Sequence, residues 1–289
     1  MNRRIVSVLF LSLFLSVPLQ AVQTNGGYVT TVPTVANWTG GWPTSGKTGW
    51  DYVGRMSGGA SGVYLGNGWV LTAAHVGAAA FTVDGGTYQP VAGSSRSISD
   101  SDGTADLTLF QITTAPSLNS LSLTVYEPTP FSQAQAGSQA VLIGYGGNAG
   151  ETWGYDTVDF VDELIQPTGL SYVSNDFLTV YGTYTDGSAS STNNSILVGG
   201  DSGGGDFIYD NATQAWELVG INEVVGTGTI NGQNLTVSGF VQLNTYASQI
   251  SAITGVMVVP EPSTWVLVML GLASLGFYSR CRSSGQRPA

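Results

Sequence analysis

The chain has 289 residues and a formal net charge of −11 at pH 7, with 19 acidic residues against eight basic ones. This length can bury a sizeable core in one large β-domain or two small ones. The acidic balance argues against nucleic acid and anionic lipid as partners, because a negative surface repels both. A single histidine and a single cysteine exclude metal sites built from several imidazoles or thiolates, and we expect no metal and no cofactor.

Residues 1–21 have the layout of a secretory signal peptide. A basic head that contains Arg3 and Arg4 precedes an apolar stretch, which is followed by a cleavage point after Ala21. We therefore expect an exported protein. Residues 22–54 are rich in Thr, Gly, Asn and Trp, and they are predicted to form an extended N-terminal segment or a propeptide.

Short apolar runs separated by glycine-rich turns favour an all-β fold in the middle of the chain. The first set of predicted strands covers residues 62–65, 69–71, 80–83, 88–91 and 107–112. The second set covers residues 139–143, 157–164, 177–184, 205–209, 216–221 and 239–242. The layout predicts a β-unit from 55 to about 115, a proline-containing linker over 116–136 and a second β-unit over 137–243. A helix over 244–254 follows, with Asn244 or Thr245 available as its N-cap.

The C-terminal residues 259–289 contain a Pro-Glu-Pro motif, an apolar run over 265–278 and an arginine-containing end. These three parts in order resemble the bacterial PEP-CTERM sorting signal. The resemblance implies an exosortase that removes the tail, transient membrane attachment through the apolar helix, and a place at the cell surface or in the extracellular matrix of a Gram-negative-type bacterium. A plain membrane anchor is the alternative, although 14 residues make only about 21 Å of helix.

Without both ends the chain becomes more acidic and loses its thiol. Lys47, Arg55 and Arg96 remain as the basic residues against 18 acids, which gives a net charge of −15. Cys281 lies in the tail, so the exported part has no disulfide and must depend on its core.

Three segments carry residues suited to nucleophilic catalysis. The only histidine, His75, ends a turn of small residues after a strand-like run. Asp106 heads an apolar run, whereas Asp100 and Asp102 lie in a polar turn and are the alternatives for its role. Ser202 lies in a glycine-rich turn whose backbone N–H groups, at Gly200 and Ser202, can stabilise an oxyanion. An imidazole can take the serine proton while a carboxylate orients the ring.

The segments 71–75 (LTAAH), 105–107 (ADL) and 200–204 (GDSGG) resemble the signature segments of chymotrypsin/trypsin-like serine proteases, in the order His, Asp, Ser. The resemblance spans roughly residues 55–255. It implies a chymotrypsin-like fold of two six-stranded antiparallel β-barrels with a short C-terminal helix, acting on protein or peptide substrates. It also implies that His75 is the general base, Asp106 its orienting carboxylate and Ser202 the nucleophile.

Some positions depart from the family pattern. Ile196, six residues before Ser202, replaces the pocket-floor aspartate of trypsin-like members and favours a small or apolar substrate side chain. Glu223 stands in the altered substrate strand, where it either lines the specificity pocket or faces solvent. No family activation site is visible. One hypothesis is that signal-peptide cleavage exposes Val22, whose ammonium reaches Asp201; a propeptide over 22–50 and an activation-independent arrangement are the alternatives.

The sequence leaves three functions open. The first is a secreted serine endopeptidase, which the intact His75, Asp106 and Ser202 favour. The second is a catalytically inactive binding or matrix protein on the same fold, favoured only by the altered strand at Glu223. The third is an esterase that uses the same three residues.

Overall fold

The computed structural model describes residues 5–8, 22–24, 27–28, 49–121, 123–124, 126–131, 137–146, 150–210, 215–256 and 258–259. The apolar run over 265–278 and the Pro-Glu-Pro motif lie outside these residues. In the described part, no helix has the length and apolar character needed to cross a bilayer.

The first ten strands belong mainly to the N-terminal half of the chain. They are β1 (Ile5–Val8), β2 (Gln23–Thr24), β3 (Gly27–Tyr28), β4 (Val53–Met56), β5 (Ser61–Gly66), β6 (Trp69–Thr72), β7 (Phe81–Val83), β8 (Gly86–Tyr88), β9 (Arg96–Ser99) and β10 (Thr104–Gln111). A short helix, α1 (Gly49–Tyr52), precedes β4.

The second half supplies twelve further described strands and the main helix. The strands are β11 (Leu123–Thr124), β12 (Gln139–Gly144), β13 (Thr152–Thr157), β14 (Phe160–Pro167), β15 (Ser174–Val180), β16 (Gly182–Asp186), β17 (Ala189–Asn193), β18 (Ser195–Ile196), β19 (Gly205–Asp210), β20 (Ala215–Ile230), β21 (Gln233–Gln242) and β22 (Val258–Val259). The helix is α2 (Ala247–Thr254).

The first sheet has seven strands in the order β8-β7-β4-β5-β6-β10-β9 and closes on itself. Closure occurs where the chain after β8 meets the end of β10: Val91 N–H donates to Gln111 O at 2.7 Å and Thr113 N–H donates to Gln89 O at 2.9 Å. The strand β10, which lies between β6 and β9, is buried from Ala105 to Phe110 on both its faces, and most of these side chains are apolar. Asp106 is the acidic exception in that run, and it is fully buried.

The second sheet has ten strands, eight of them in the order β1-β14-β15-β21-β20-β19-β12-β13, with β11 and β22 paired at its side. A continuous apolar core joins the two sheets: Phe207 and Ile221 of the second pack with Leu71 and Leu107 of the first. Ile250 of α2 belongs to the same core. The prediction of an all-β fold in two units with a short C-terminal helix is confirmed.

Three details differ from the sequence predictions. The single strand predicted over 157–164 is two strands, because Val158 N–H donates to Ser138 O while Asp159 N–H donates to Leu178 O, so the chain changes partner there. The single strand predicted over 177–184 is two strands, because β15 ends at Val180 and β16, which begins at Gly182, pairs with β17 in a separate sheet. The helix begins at Ala247 with Tyr246 at its N-cap, and neither Asn244 nor Thr245 caps it, because Leu243–Thr245 forms a turn of 3-10 helix instead.

The second sheet buries several carboxyl groups. Burial raises the pKa of Asp206 and Asp156 well above the ordinary value, and it raises the pKa of Asp201 to about 7. The two carboxyl oxygens of Asp206 have no hydrogen-bond partner in the described part of the chain. These groups hold protons in the folded state at pH values where an unfolded chain has released them.

Stability is therefore expected to fall as pH rises. Between the ordinary carboxyl pKa near 4 and the raised folded values, the folded state binds more protons than the unfolded one, so each affected group costs about 1.4 kcal/mol per pH unit. Asp206→Asn cannot ionise and should flatten the dependence of melting temperature on pH between 5 and 9. Calorimetry of the wild type, Asp206→Asn and the exposed control Asp186→Asn checks this. An Asp206→Asn slope equal to that of the wild type would contradict it.

Candidate active site

His75 and Asp106 meet on two neighbouring strands of the first sheet. The strand β6 ends at Thr72, which is paired with Thr108 of β10, and the turn after β6 carries His75 towards β10. Asp106 Oδ2 lies 2.5 Å from His75 Nδ1, and Asp106 Oδ1 accepts the backbone N–H of His75 at 2.8 Å. Asp106 is fully buried, while the His75 side chain is 21% exposed. The carboxylate thus fixes both the backbone and the ring of His75, and Nε2 is the ring nitrogen that does not contact Asp106.

The structure brings Asp106 to His75, whereas Asp100 has other partners. Asp100 Oδ1 accepts the backbone N–H groups of Asp102 and Gly103 at 2.8 and 3.2 Å, so this aspartate serves the turn that precedes β10.

The loop that carries Ser202 is organised around the buried carboxylate of Asp201. Its Oδ2 accepts Val198 N–H at 2.8 Å, and its Oδ1 accepts Gly146 N–H at 3.0 Å and Val22 N–H at 3.2 Å. Gly200, next to it, has a φ of 100°, a conformation that only glycine adopts without strain. The loop geometry around Ser202 therefore depends on Asp201 and on a glycine before it.

Ser61 of β5 connects the histidine strand with the serine loop. Its N–H donates to Ser202 O at 2.9 Å, and its Oγ donates to Gly200 O at 3.1 Å. Thr72 Oγ1, three residues before His75, donates to Ser61 O at 2.7 Å. A Cβ on Gly203 would approach both Ser61 O and Thr72 Oγ1 to 2.2 Å. Because Gly203 has no Cβ, the end of β6 can pack closely against the loop that carries Ser202.

The two predicted pocket residues lie in different surroundings. Ile196 is half-buried in β18 and pairs with Gln23 of β2. Glu223 is only 2% exposed, and its Oε1 accepts a hydrogen bond from Ser174 Oγ at 3.1 Å. Of the two alternatives for Glu223, exposure to solvent is therefore excluded, because a bulge in β20 turns its side chain inwards. A pocket role for either residue stays a prediction.

Sequence reasoning missed several residues of this site. Ser61 and Ser174 carry no motif, and only strand pairing places them beside the segments that do. Glu223 was identified from its place in the substrate strand, but its contact with Ser174 was not predicted. Among the described residues there is no group of three acidic, histidine or cysteine side chains able to hold a metal ion.

Comparison with known proteins identifies two family models in this chain. Residues 40–250 match the model described as Trypsin, and residues 258–283 match the PEP-CTERM protein-sorting motif. None of the curated proteins matches the chain.

Among solved structures, the Rv3671c protease from M. tuberculosis in its active form is similar at 16% identity with a TM-score of 0.44, over 71% of this chain and 79% of that one. Kallikrein-related peptidase 10 is similar at 20% identity with a TM-score of 0.43, over 72% of this chain and 98% of that one.

The contact at Gly203 predicts a specific steric effect. Gly203→Ala places a methyl group against Ser61 O and Thr72 Oγ1, and it also strains a φ of 85°. Gly85→Ala is the matched control, because Gly85 has a φ of 73° and open space around its Cβ position. The control should cost about 1–2 kcal/mol of unfolding free energy, from backbone strain alone. Denaturant unfolding should show a larger loss for Gly203→Ala, and equal losses would contradict the steric contact.

Proposed function

Since the chain belongs to the trypsin family and has its chymotrypsin-like fold of two β-barrels, we propose that it is an exported serine endopeptidase that acts through an acyl-enzyme. The observation that carries this proposal is the two-point contact of Asp106 with His75, on a strand held against the Ser202 loop.

The proposed reaction uses each group in turn. His75 Nε2 takes the proton of Ser202 Oγ as that oxygen attacks the peptide carbonyl, and Asp106 stabilises the imidazolium that forms. The carbonyl oxygen becomes an oxyanion that accepts the N–H groups of Gly200 and Ser202. His75 then gives its proton to the leaving amine, and the acyl group stays on Ser202. In the second half of the reaction, His75 takes a proton from water, which attacks the acyl group. His75 then returns the proton to Ser202 Oγ, and the carboxylic acid product is released.

The oxyanion assignment is supported by how the adjacent N–H groups are used. Gly203 N–H donates to Asn222 O and Gly204 N–H donates to Asp201 O, both at 2.9 Å. The N–H groups of Gly200 and Ser202 are therefore the ones proposed to bind the oxyanion. For specificity, the apolar side chain of Ile196 supports a small or apolar residue before the scissile bond.

The sorting motif over 258–283 indicates export and sorting to the cell surface. We infer that an exosortase removes the tail after a transient attachment through its apolar segment. The protein that acts on substrates is then the part that begins after the signal peptide.

The contact between Val22 and Asp201 supports a route of activation. In the uncleaved chain Val22 supplies a neutral N–H to a fully buried carboxyl group, and burial raises the pKa of that group to about 7. Cleavage after Ala21 would convert this N–H into an ammonium at the same place. The resulting ion pair would keep Asp201 ionised and the loop ordered. The signal peptidase would therefore also be the activating protease.

Labelling with a fluorophosphonate probe tests the proposed activity. The wild type should be labelled and should cleave casein; Ser202→Ala should lose all labelling, because the reacting oxygen is gone. His75→Ala should lose hydrolysis by about three or more orders of magnitude. Ser188→Ala, at an exposed serine of the β16–β17 turn, is the control and should react like the wild type. An unlabelled wild type would favour a binding or matrix protein, and labelling without casein cleavage would favour an esterase.

A second comparison tests the activation route. Protein that begins at Val22 should be active, whereas protein that keeps Ala21 should lose activity about tenfold or more, since a longer chain cannot present an ammonium to Asp201. In an Asp201→Asn background the extra residue should change little, because the ion pair is already absent. Equal activity of the Val22 and Ala21 forms would contradict this route.

A further inference from the structure

A bulge in β20 turns Glu223 into the space behind the Asp106–His75 pair. Asn222 pairs with Phe240 of β21, but Val224 pairs with Gly239, so Glu223 is the extra residue without a partner in the ladder. Bulges of this kind re-aim a side chain and are common beside active sites. The result here is a carboxyl group that is fully inside the protein, with Asp106 and Asp176 as its charged neighbours.

Ser174 connects this carboxyl group with the backbone of Asp106. The pairing of β10 with β9 is interrupted between Thr104 and Thr108, so the N–H of Asp106 lies in the irregular part of that ladder. This N–H donates to Ser174 Oγ of the second sheet at 2.9 Å, and Ser174 Oγ donates to Glu223 Oε1 at 3.1 Å. Val173 N–H donates to Thr104 O at 3.0 Å, which completes a short joint between the two sheets.

Asp176 occupies the other side of Glu223. The two carboxyl groups are both buried and interact electrostatically with each other. No N–H or O–H group of the described residues donates to Asp176 or to Glu223 Oε2. Two ionised carboxylates only accept hydrogen bonds, so a contact between them requires a proton. Gly239 leaves room for this pair, since a Cβ there would lie 3.1 Å from Asp176 Oδ2.

We propose that Glu223 is a positioning residue: as a neutral acid, it orients the Asp106–His75 pair through Ser174. This inference rests on the proposed protease function. Glu223 Oε1 orients the Ser174 hydroxyl, so that the Ser174 oxygen is fixed as the acceptor for Asp106 N–H. The Glu223 proton lies on the Asp176 side. An ionised Glu223 would instead place a second negative charge beside the Asp106 carboxylate, inside the protein.

The electrostatic surroundings agree with a neutral Glu223. Burial raises its pKa well above the ordinary value, and the adjacent Asp176 and Asp106 raise it further. Burial likewise raises the pKa of Asp176. The other titratable groups that face this pair are Asp206 of β19, which interacts with Asp176, and Tyr246, whose hydroxyl oxygen accepts Asn175 N–H at 3.0 Å. No cation is among these neighbours.

Three variants separate positioning from a merely structural role. Glu223→Gln keeps an acceptor for Ser174 and a donor for Asp176, and it cannot ionise; it should keep kcat within about threefold of the wild type, with an unshifted pH profile. Glu223→Ala should lose kcat by about tenfold to a hundredfold with KM changed less than twofold, since small misplacement of a catalytic group has effects of this size. Asp159→Ala is the control, because it removes a buried carboxylate that bonds Val180, Ser191 and Asn193 away from the triad.

The pH profile of kcat/KM provides a readout that a loss of stability does not move. In Glu223→Ala the acid limb should shift to lower pH, because a displaced Asp106 stabilises the imidazolium less. In Glu223→Gln and Asp159→Ala the limb should stay in place. If Glu223→Ala does not fold, Glu223→Gln still decides: a large loss of kcat in the folded Gln variant would overturn the neutral positioning role.

The outcomes also separate this inference from the protease function itself. An inactive wild type that the fluorophosphonate probe does not label would overturn the proposed function. An active wild type with an equally active Glu223→Ala, and an unchanged acid limb, would overturn only the role of Glu223. Rescue of the Ala defect by Gln would support both.

Discussion

The arrangement of the site depends on one interaction, the contact of a single buried carboxylate with both the backbone and the ring of His75. One oxygen of Asp106 accepts the backbone N–H of His75, and the other lies against Nδ1. The turn after β6 is thereby fixed to β10, and the free nitrogen of the ring has one defined direction. The same strand end packs on Gly203 through Thr72 and Ser61, so the imidazole and the loop that carries Ser202 share one support.

On the side of the second sheet, buried carboxyl groups hold the same site in place. Asp201 organises the loop by accepting three backbone N–H groups, and Glu223 reaches Asp106 through Ser174. Burial raises the pKa of these carboxyl groups, so the stability of this part of the protein is expected to depend on pH. Arg55 and Arg96, the basic residues of the described part, are both exposed, so neither neutralises these acids from within the core.

Much of this fold follows from the sequence, because the strands of the first sheet and the segments around His75, Asp106 and Ser202 have local signals. The choice of Asp106 over Asp100 and Asp102 also follows from pattern, since an aspartate that begins a buried run has a reason to be there. The remaining features of the site could not be predicted from the sequence, because they depend on how the strands pair. The inward turn of Glu223 depends on one extra residue in β20, and the role of Ser174 depends on an interrupted ladder in β10.

The lone histidine makes the central contact directly measurable, because all ring signals of the ¹⁵N-histidine-labelled protein come from Nδ1 and Nε2 of a single imidazole. The structure predicts a slowly exchanging proton on Nδ1, protected by the contact with Asp106, and loss of that protection in Asp106→Ala. A ring protonated on Nε2 at neutral pH, with Nδ1 free of a proton, would contradict the contact on which the site depends.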